Sequence, residues 1–240
     1  MKRIITRVQV AAKTNLGRTC TFGFVSDLHN GIYQDWLLSL RGVDAILVAG
    51  DMLDRHKKGM EHACGFLRDA PAIAPVFLSL GNHETRSEDW PAFEKVLRAS
   101  RVHLLDDQIM DYHGITIGGL SSREKDSHRI EPDMIPEMTH FVDVMASYPG
   151  YKILLCHHPE YYDPCIRGHG IDLTLSGHAH GGQVQLLGQG IYAPGQGLFP
   201  KYTDGFYDEK HLLVNRGVTN STWAPRLWNP CEMILLTVNY

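Results

Sequence analysis

Hydrophobic positions along this chain change period several times. Short runs rich in β-branched residues at 4–10, 21–26, 45–49 and 75–79 read as strands, and amphipathic stretches separate the later ones. A helix is predicted over 90–99, where Trp90, Phe93, Val96 and Leu97 share a face, Pro91 suits a first turn and Asp89 is a candidate cap. Further strands are predicted at 102–104, 108–112, 115–118, 152–156, 173–176, 183–187, 211–214 and 233–238, interrupted by a helix over roughly 132–147. This alternation predicts an α/β fold with two sheets in a single domain spanning 1–240. Two long stretches, 188–209 and 215–230, are rich in Gly, Pro and aromatic residues and are expected to line a site.

Composition changes this picture little. Apolar residues at 43% and charged residues at 21% fit a folded globular chain of 240 residues. A net charge of -4 gives no basic footprint, so nucleic acid is not an expected partner. Residues 1–7 turn polar too early for a signal-peptide core and no run approaches the length of a membrane span, so a cytoplasmic protein without a transmembrane anchor is expected. The five cysteines are scattered and lack a CxxC pair, which predicts reduced thiols and no thiolate zinc site.

Five segments carry the chemistry. They are Ser26-Asp27-Leu28-His29, Gly50-Asp51-Met52-Leu53-Asp54, Gly81-Asn82-His83-Glu84, Cys156-His157-His158-Pro159 and Gly177-His178-Ala179-His180-Gly181-Gly182. Each places ligand-type residues just after an apolar strand, and the carboxyl ends of strands are where α/β folds gather ligands. In an extended segment residues i and i+2 face the same way, so Asp27 with His29, and His178 with His180, are expected to grip a metal as pairs. Glycines beside them let the backbone turn sharply.

Mixed carboxylate, imidazole and amide donors suit manganese, iron or zinc better than calcium. Asp27, His29, Asp51, Asn82, His157, His178 and His180 are more donors than one open catalytic metal needs. Two divalent or mixed-valence transition-metal ions sharing a carboxylate are therefore expected, with Asp51 the bridging candidate. Metals roughly 3.5–4 Å apart bind phosphate and an attacking hydroxide together and offset charge developing on the phosphorus oxygens, so hydrolysis is the natural outcome.

The ordered pattern DxH, GDxxD, GNH[ED], H and GHxH, met from Asp27 to His180, resembles the signature of the calcineurin-like metallophosphoesterase superfamily. The resemblance implies a four-layer α/β/β/α sandwich with a dinuclear site at one edge of two mixed sheets. It implies that Asp27, His29 and His180 hold one metal and Asn82, His157 and His178 the other, with Asp51 between them. It puts His83 near the leaving-group oxygen as general acid or transition-state stabiliser, with Asp54 as orienting partner. The run from Gly177 to Gln183, the following Tyr/Pro/Gly loop, Asn215-Arg216-Gly217 and Pro225-Arg226 are similar to the bacterial branch of YaeI- and YkuE-type phosphodiesterases. That branch implies a phosphodiesterase or pyrophosphatase acting on a small phosphate-containing substrate, nucleotide-sugar or lipid-linked substrates included.

Other residues are weighed separately. Arg55 resembles the arginine of the phosphoprotein-phosphatase run GDxxDR, which makes it, with Arg216, a candidate phosphate contact. The alternative function is accordingly a phosphomonoesterase or phosphoprotein phosphatase, and a further one is a non-catalytic scaffold. His158 is expected to face away from the ligands. Tyr192, Tyr202, Tyr207, Trp223 and Trp228 form a substrate wall or simply pin the loops.

Overall fold

In the computed structural model, residues 2–12, 17–123, 131–220 and 225–240 are described. Trp223 lies outside them. Elements are numbered along the chain. One sheet has the order β1-β16-β2-β3-β4-β5, built from β1 (Arg3–Ala11), β16 (Cys231–Asn239), β2 (Thr19–Val25), β3 (Ala45–Ala49), β4 (Val76–Ser79) and β5 (His103–Leu104). All neighbours in it are parallel except β16 and β2. The other has the order β14-β15-β9-β8-β7-β6, from β14 (Gly205–Tyr207), β15 (Leu212–Val214), β9 (Leu173–Ser176), β8 (Tyr151–Cys156), β7 (Ile115–Leu120) and β6 (Gln108–Tyr112). Its four inner strands are parallel and its two edge strands antiparallel, so both sheets are mixed as expected.

Strand periodicity explains the layering. On β3, Ala45, Leu47 and Ala49 face the second sheet, while Ile46 and Val48 face helices. Between the sheets, Phe22, Phe24, Leu47 and Phe77 meet Ile117, Ile153, Leu155, Leu175 and Leu213 in one shared core. Outside the first sheet lie α1 (Gln34–Ser39), α2 (Glu61–Asp69) and α4 (Trp90–Ala99), which bury Trp36, Phe66, Leu67, Phe93 and Leu97. Outside the second lies α5 (Ile135–Ala146), burying Met138, Val142 and Met145. The result is α/β/β/α.

Helix α4 has the predicted bounds, but Asp89 does not cap it. Its carboxylate instead accepts the Gly59 amide at 2.8 Å, tying the loop after β3 to the start of the helix. The strand expected over 183–187 contracts to β10 (Gln185–Leu186), which turns back at once into β11 (Gln189–Gly190). A second small hairpin follows, β12 (Tyr192–Ala193) with β13 (Gly197–Leu198). No helix among the described residues is long and apolar enough to cross a membrane.

Candidate metal centre

The two sheets bring the five motifs to one edge, and the backbone does so by an unexpected route. Asp27, His29, Asp51, His178 and His180 all have left-handed φ, between 47° and 65°, so neither pair lies in an extended segment. The chain must turn off its strand within one residue, and non-glycine residues accept this strained conformation only when the surroundings enforce it. Cross-links between neighbouring loops supply that enforcement. The amides of Asp27, His29 and Asn30 donate to the carbonyls of Gly50, Asp51 and Met52 at 3.1, 2.9 and 2.7 Å.

Glu84 is the second device, and sequence reasoning gave it no role. It sits in a short helix, α3 (Asn82–Arg86), and is fully buried. Its carboxylate accepts the amides of Asp51, Met52, Leu53 and Gly81 at 2.8, 2.6, 2.9 and 2.8 Å. One side chain thus moulds the Asp51 loop and joins it to the loop bearing Asn82. Burial and the Asp51 charge push the Glu84 pKa up, and the backbone donors oppose them. Its place three residues after Gly81, as in a capping box, was the available signal. A Cβ at Gly81 would strike the Asp51 carboxylate, and one at Gly177 would lie 2.5 Å from Asp27 Oδ2, so these glycines let the chain pass close to the acidic donors.

The donor atoms converge. His29 Nε2 and His180 Nε2 lie 3.7 and 3.6 Å from Asp27 Oδ1, and 3.3 Å from each other. Asp51 Oδ2 is 3.8 Å from His29 Nε2 and 3.1 Å from His157 Nε2, while its Oδ1 accepts the His83 amide at 2.9 Å. Asp27, His29 and His180 form one group with ligand atoms within 4.8 Å of one another, and Asp51, His157 and His178 form another. Asn82 is buried, and its Oδ1 has no hydrogen-bond partner. These residues fit cations. His29 and His180 turn nitrogens toward each other, and a buried amide oxygen is left unsatisfied, an arrangement that costs free energy without a positive ion among the donors.

Electrostatics point the same way. Burial pushes the Asp27 and Asp51 carboxyls up, but the imidazoles around them more than offset it, and both end below the usual range. For His157, burial works against protonation, yet Asp51 and Asp27 push it up to about 10. Burial lowers His178, with His158 and His157 adding to it, and burial also pulls His180 down to about 3. His178 and His180, neutral beside ionised carboxylates, are in the state ligands need, whereas Asp51 and Asp27 hold a proton on His157 in a place that a cation among the donors would take.

His83 is buried at the rim, with Nε2 at 3.8 Å from Asp51 Oδ2. Its Nδ1 accepts the Arg55 amide at 3.1 Å, so the proton of the neutral ring sits on Nε2. Burial, with His29 and Arg55 contributing, takes its pKa down to about 2. Asp54 Oδ1 is 3.8 Å from the same Nδ1 and accepts the His56 amide at 2.9 Å, so the hydrogen bond that orients His83 comes from the Arg55 backbone. His158 places Nδ1 3.0 Å from Glu160 Oε1 and its ring centroid 4.1 Å from that of His178, so it forms a further group with these two. Arg216 is engaged with Asp204 and Gln185 at 2.6 and 3.3 Å. Arg226, by contrast, places Nη2 at 2.9 Å from His180 Nδ1.

The loops beyond His180 carry exposed apolar side chains. Leu187 at the β10–β11 turn is fully exposed, and Leu198, Phe199 and Trp228 are each about 70% exposed or more. Backbone hydrogen bonds join these segments to the ligand loop: Gln185 donates to Leu227, Ile191 to Gly182, and Phe199 to Ile191. Tyr202 and Tyr207, in contrast, pack edge-to-face at 5.0 Å and pin their loop.

Comparison with known proteins agrees with the geometry. Residues 20–182 match the family model described as calcineurin-like phosphoesterase. The uncharacterized metallophosphoesterase Cj0846 of Campylobacter jejuni is 26% identical over 93% of this chain, which spans 60% of that protein's length. The uncharacterized protein YpbG of Bacillus subtilis is 26% identical over 91% of this chain and 80% of its own. The uncharacterized metallophosphoesterase YkuE of Bacillus subtilis is 41% identical over a shorter stretch, 37% of this chain and 31% of its own. A crystal structure aligns with a TM-score of 0.53 at 11% identity, covering 83% of this chain and 91% of that one, and so shares the fold.

Proposed function

This chain belongs to the calcineurin-like phosphoesterase family, and from that premise we propose that it hydrolyses a phosphodiester or pyrophosphate bond at a pair of transition-metal cations. The observation that carries the reading is the overlap of the buried donors: Asp27, His29 and His180 form one group, Asp51, His157 and His178 another, and Asp51 is also grouped with His29 and His83. Asp27, His29 and His180 would hold one cation and Asn82, His157 and His178 the other, with Asp51 shared between them. When bound, manganese, iron or zinc would supply Lewis acidity toward phosphate oxygens and water of lowered pKa.

The remaining work belongs to the chain's own residues. His83 offers Nε2–H beside the donor cluster, where a neutral imidazole donates a hydrogen bond to the leaving oxygen and stabilises its growing charge. The Arg55 amide keeps that tautomer, and the Arg55 guanidinium, whose Nε donates to His56 Nε2 at 3.2 Å and whose charge helps lower the His83 pKa, is the candidate contact for a terminal phosphate. The Glu84-anchored loop holds Asp51 rigid, so little reorganisation accompanies reaction. The exposed Leu187, Phe199 and Trp228 favour a substrate with an apolar portion, the lipid-linked end of the nucleotide-sugar and lipid-linked classes.

Turnover of bis-p-nitrophenyl phosphate with manganese tests the reading. His83→Ala should lower kcat by about 10²–10⁴-fold while metal content is kept. Undiminished turnover in His83→Ala would remove this residue from the mechanism. If Arg55→Ala harmed monoesters more than diesters, and monoesters were the faster substrates, the phosphomonoesterase reading would replace the diesterase one.

A further inference from the structure

The two histidines of the HxH segment are backed by opposite charges. His178 Nε2 lies 3.5 Å from Glu160 Oε1 and has no other hydrogen-bond partner. Glu160 is itself held by His158 at 3.0 Å, inside a mostly buried pocket. That leaves Nδ1 as the His178 nitrogen free for a cation. A carboxylate behind a ligand imidazole is the usual arrangement and strengthens it as a donor. His180 has the reverse. Its Nδ1 accepts from Arg226 Nη2 at 2.9 Å, and the same Nη2 donates to Thr219 O at 2.6 Å. An arginine can only donate, so in this contact neutral His180 carries its proton on Nε2, and a cation takes Nε2 only by displacing that proton and the Arg226 hydrogen bond, with the guanidinium charge still close behind the ring.

Counting charge explains why opposite backings are useful. Apart from the shared Asp51, the Asp27, His29 and His180 group contains a carboxylate, whereas Asn82, His157 and His178 contain none. Left alone, the first group would bind a divalent cation more tightly. Arg226 lies behind the group with the extra negative charge, and Glu160 behind the group without one. An outer charge counts for less than a direct ligand because it is farther away, but here two outer charges of opposite sign act against one inner difference.

We propose that Glu160 and Arg226 are positioning residues that level the cation affinities of the two half-sites, so that both fill over the same range of metal concentration. This rests on the two-cation reading above. It gives the neutral Asn82 half an electrostatic partner its own ligands lack, and makes the other half release its ion more easily than its carboxylate alone would allow.

Calorimetric titration of the metal-free full chain with Mn²⁺ tests it, with metal-to-protein ratio measured in parallel. The wild type should bind two Mn²⁺ with affinities within about tenfold of each other. Glu160→Gln should weaken one site by about 10–100-fold and split the isotherm into two steps. Arg226→Gln should split it in the other sense, by tightening one site, and Arg226→Lys, which keeps a cation, should restore the wild-type shape. Circular dichroism on each variant excludes loss of fold as the cause. If the wild type bound no Mn²⁺, the metal-centre reading itself would fall. If it bound two and the variants shifted both sites equally or neither, only the levelling would be overturned.

Discussion

The two sheets contribute to the candidate site in different chemical currencies. The first provides Asp27, Asp51 and Asn82, with oxygen donors on loops cross-linked by backbone hydrogen bonds and by Glu84, and adds His29 alone among imidazole ligands. The second provides His157, His178 and His180, held largely through side-chain contacts to their outer nitrogens: His157 Nδ1 on Ala49 O at 2.7 Å, His178 by Glu160, His180 by Arg226. The acidic half is fixed by its backbone and the imidazole half by its neighbours. The lesson is that each of the two groups assigned to a cation, Asp27 with His29 and His180 and Asp51 with His157 and His178, draws on both sheets, so the site forms only once the core between the sheets has packed.

Breaking the junction should have the largest effect. Asp51→Asn removes the bridging charge and should cost more than the ~10²–10³-fold typical of losing one transition-state hydrogen bond, measured as kcat on a diester. Glu84→Gln comes next and sharpens the contrast between the halves. It leaves every direct donor in place but sets an amide against four backbone donors, so it should destabilise folding by about 2–4 kcal/mol, read from urea denaturation, and weaken metal binding with it. If stability were unchanged, the backbone lattice would not be what fixes the acidic half.

The smallest effect concerns the exposed loops. Leu187→Ser should leave the stability within about 0.5 kcal/mol of wild type, since nothing covers that side chain. It should raise KM for a diester carrying an acyl chain and leave bis-p-nitrophenyl phosphate unaffected. Equal effects on both substrates would take the apolar rim out of recognition.

Much of this was legible in the sequence because strand and ligand signals are local. β3, β6 and β9 and helix α4 have the bounds that periodicity predicts, and the donors stand directly after strands. What was hidden depends on partners far along the chain. The left-handed turns at Asp27 and His180 contradict the extended geometry that i, i+2 spacing suggests, because loops from separate strands pull on each other there. Glu84 looks like an ordinary helix residue until three amides from another loop are seen on it. Asp54 looks like the partner of His83, yet the nearer hydrogen bond comes from a main-chain amide that carries no sequence signal. Arg226 lies 46 positions from the histidine it touches.

The most direct test of the central claim is an anomalous-scattering map of crystals grown with Mn²⁺. The account predicts two peaks within about 4 Å of each other, both in contact with Asp51 Oδ2. A single peak, or two peaks of which only one touches Asp51, would contradict it.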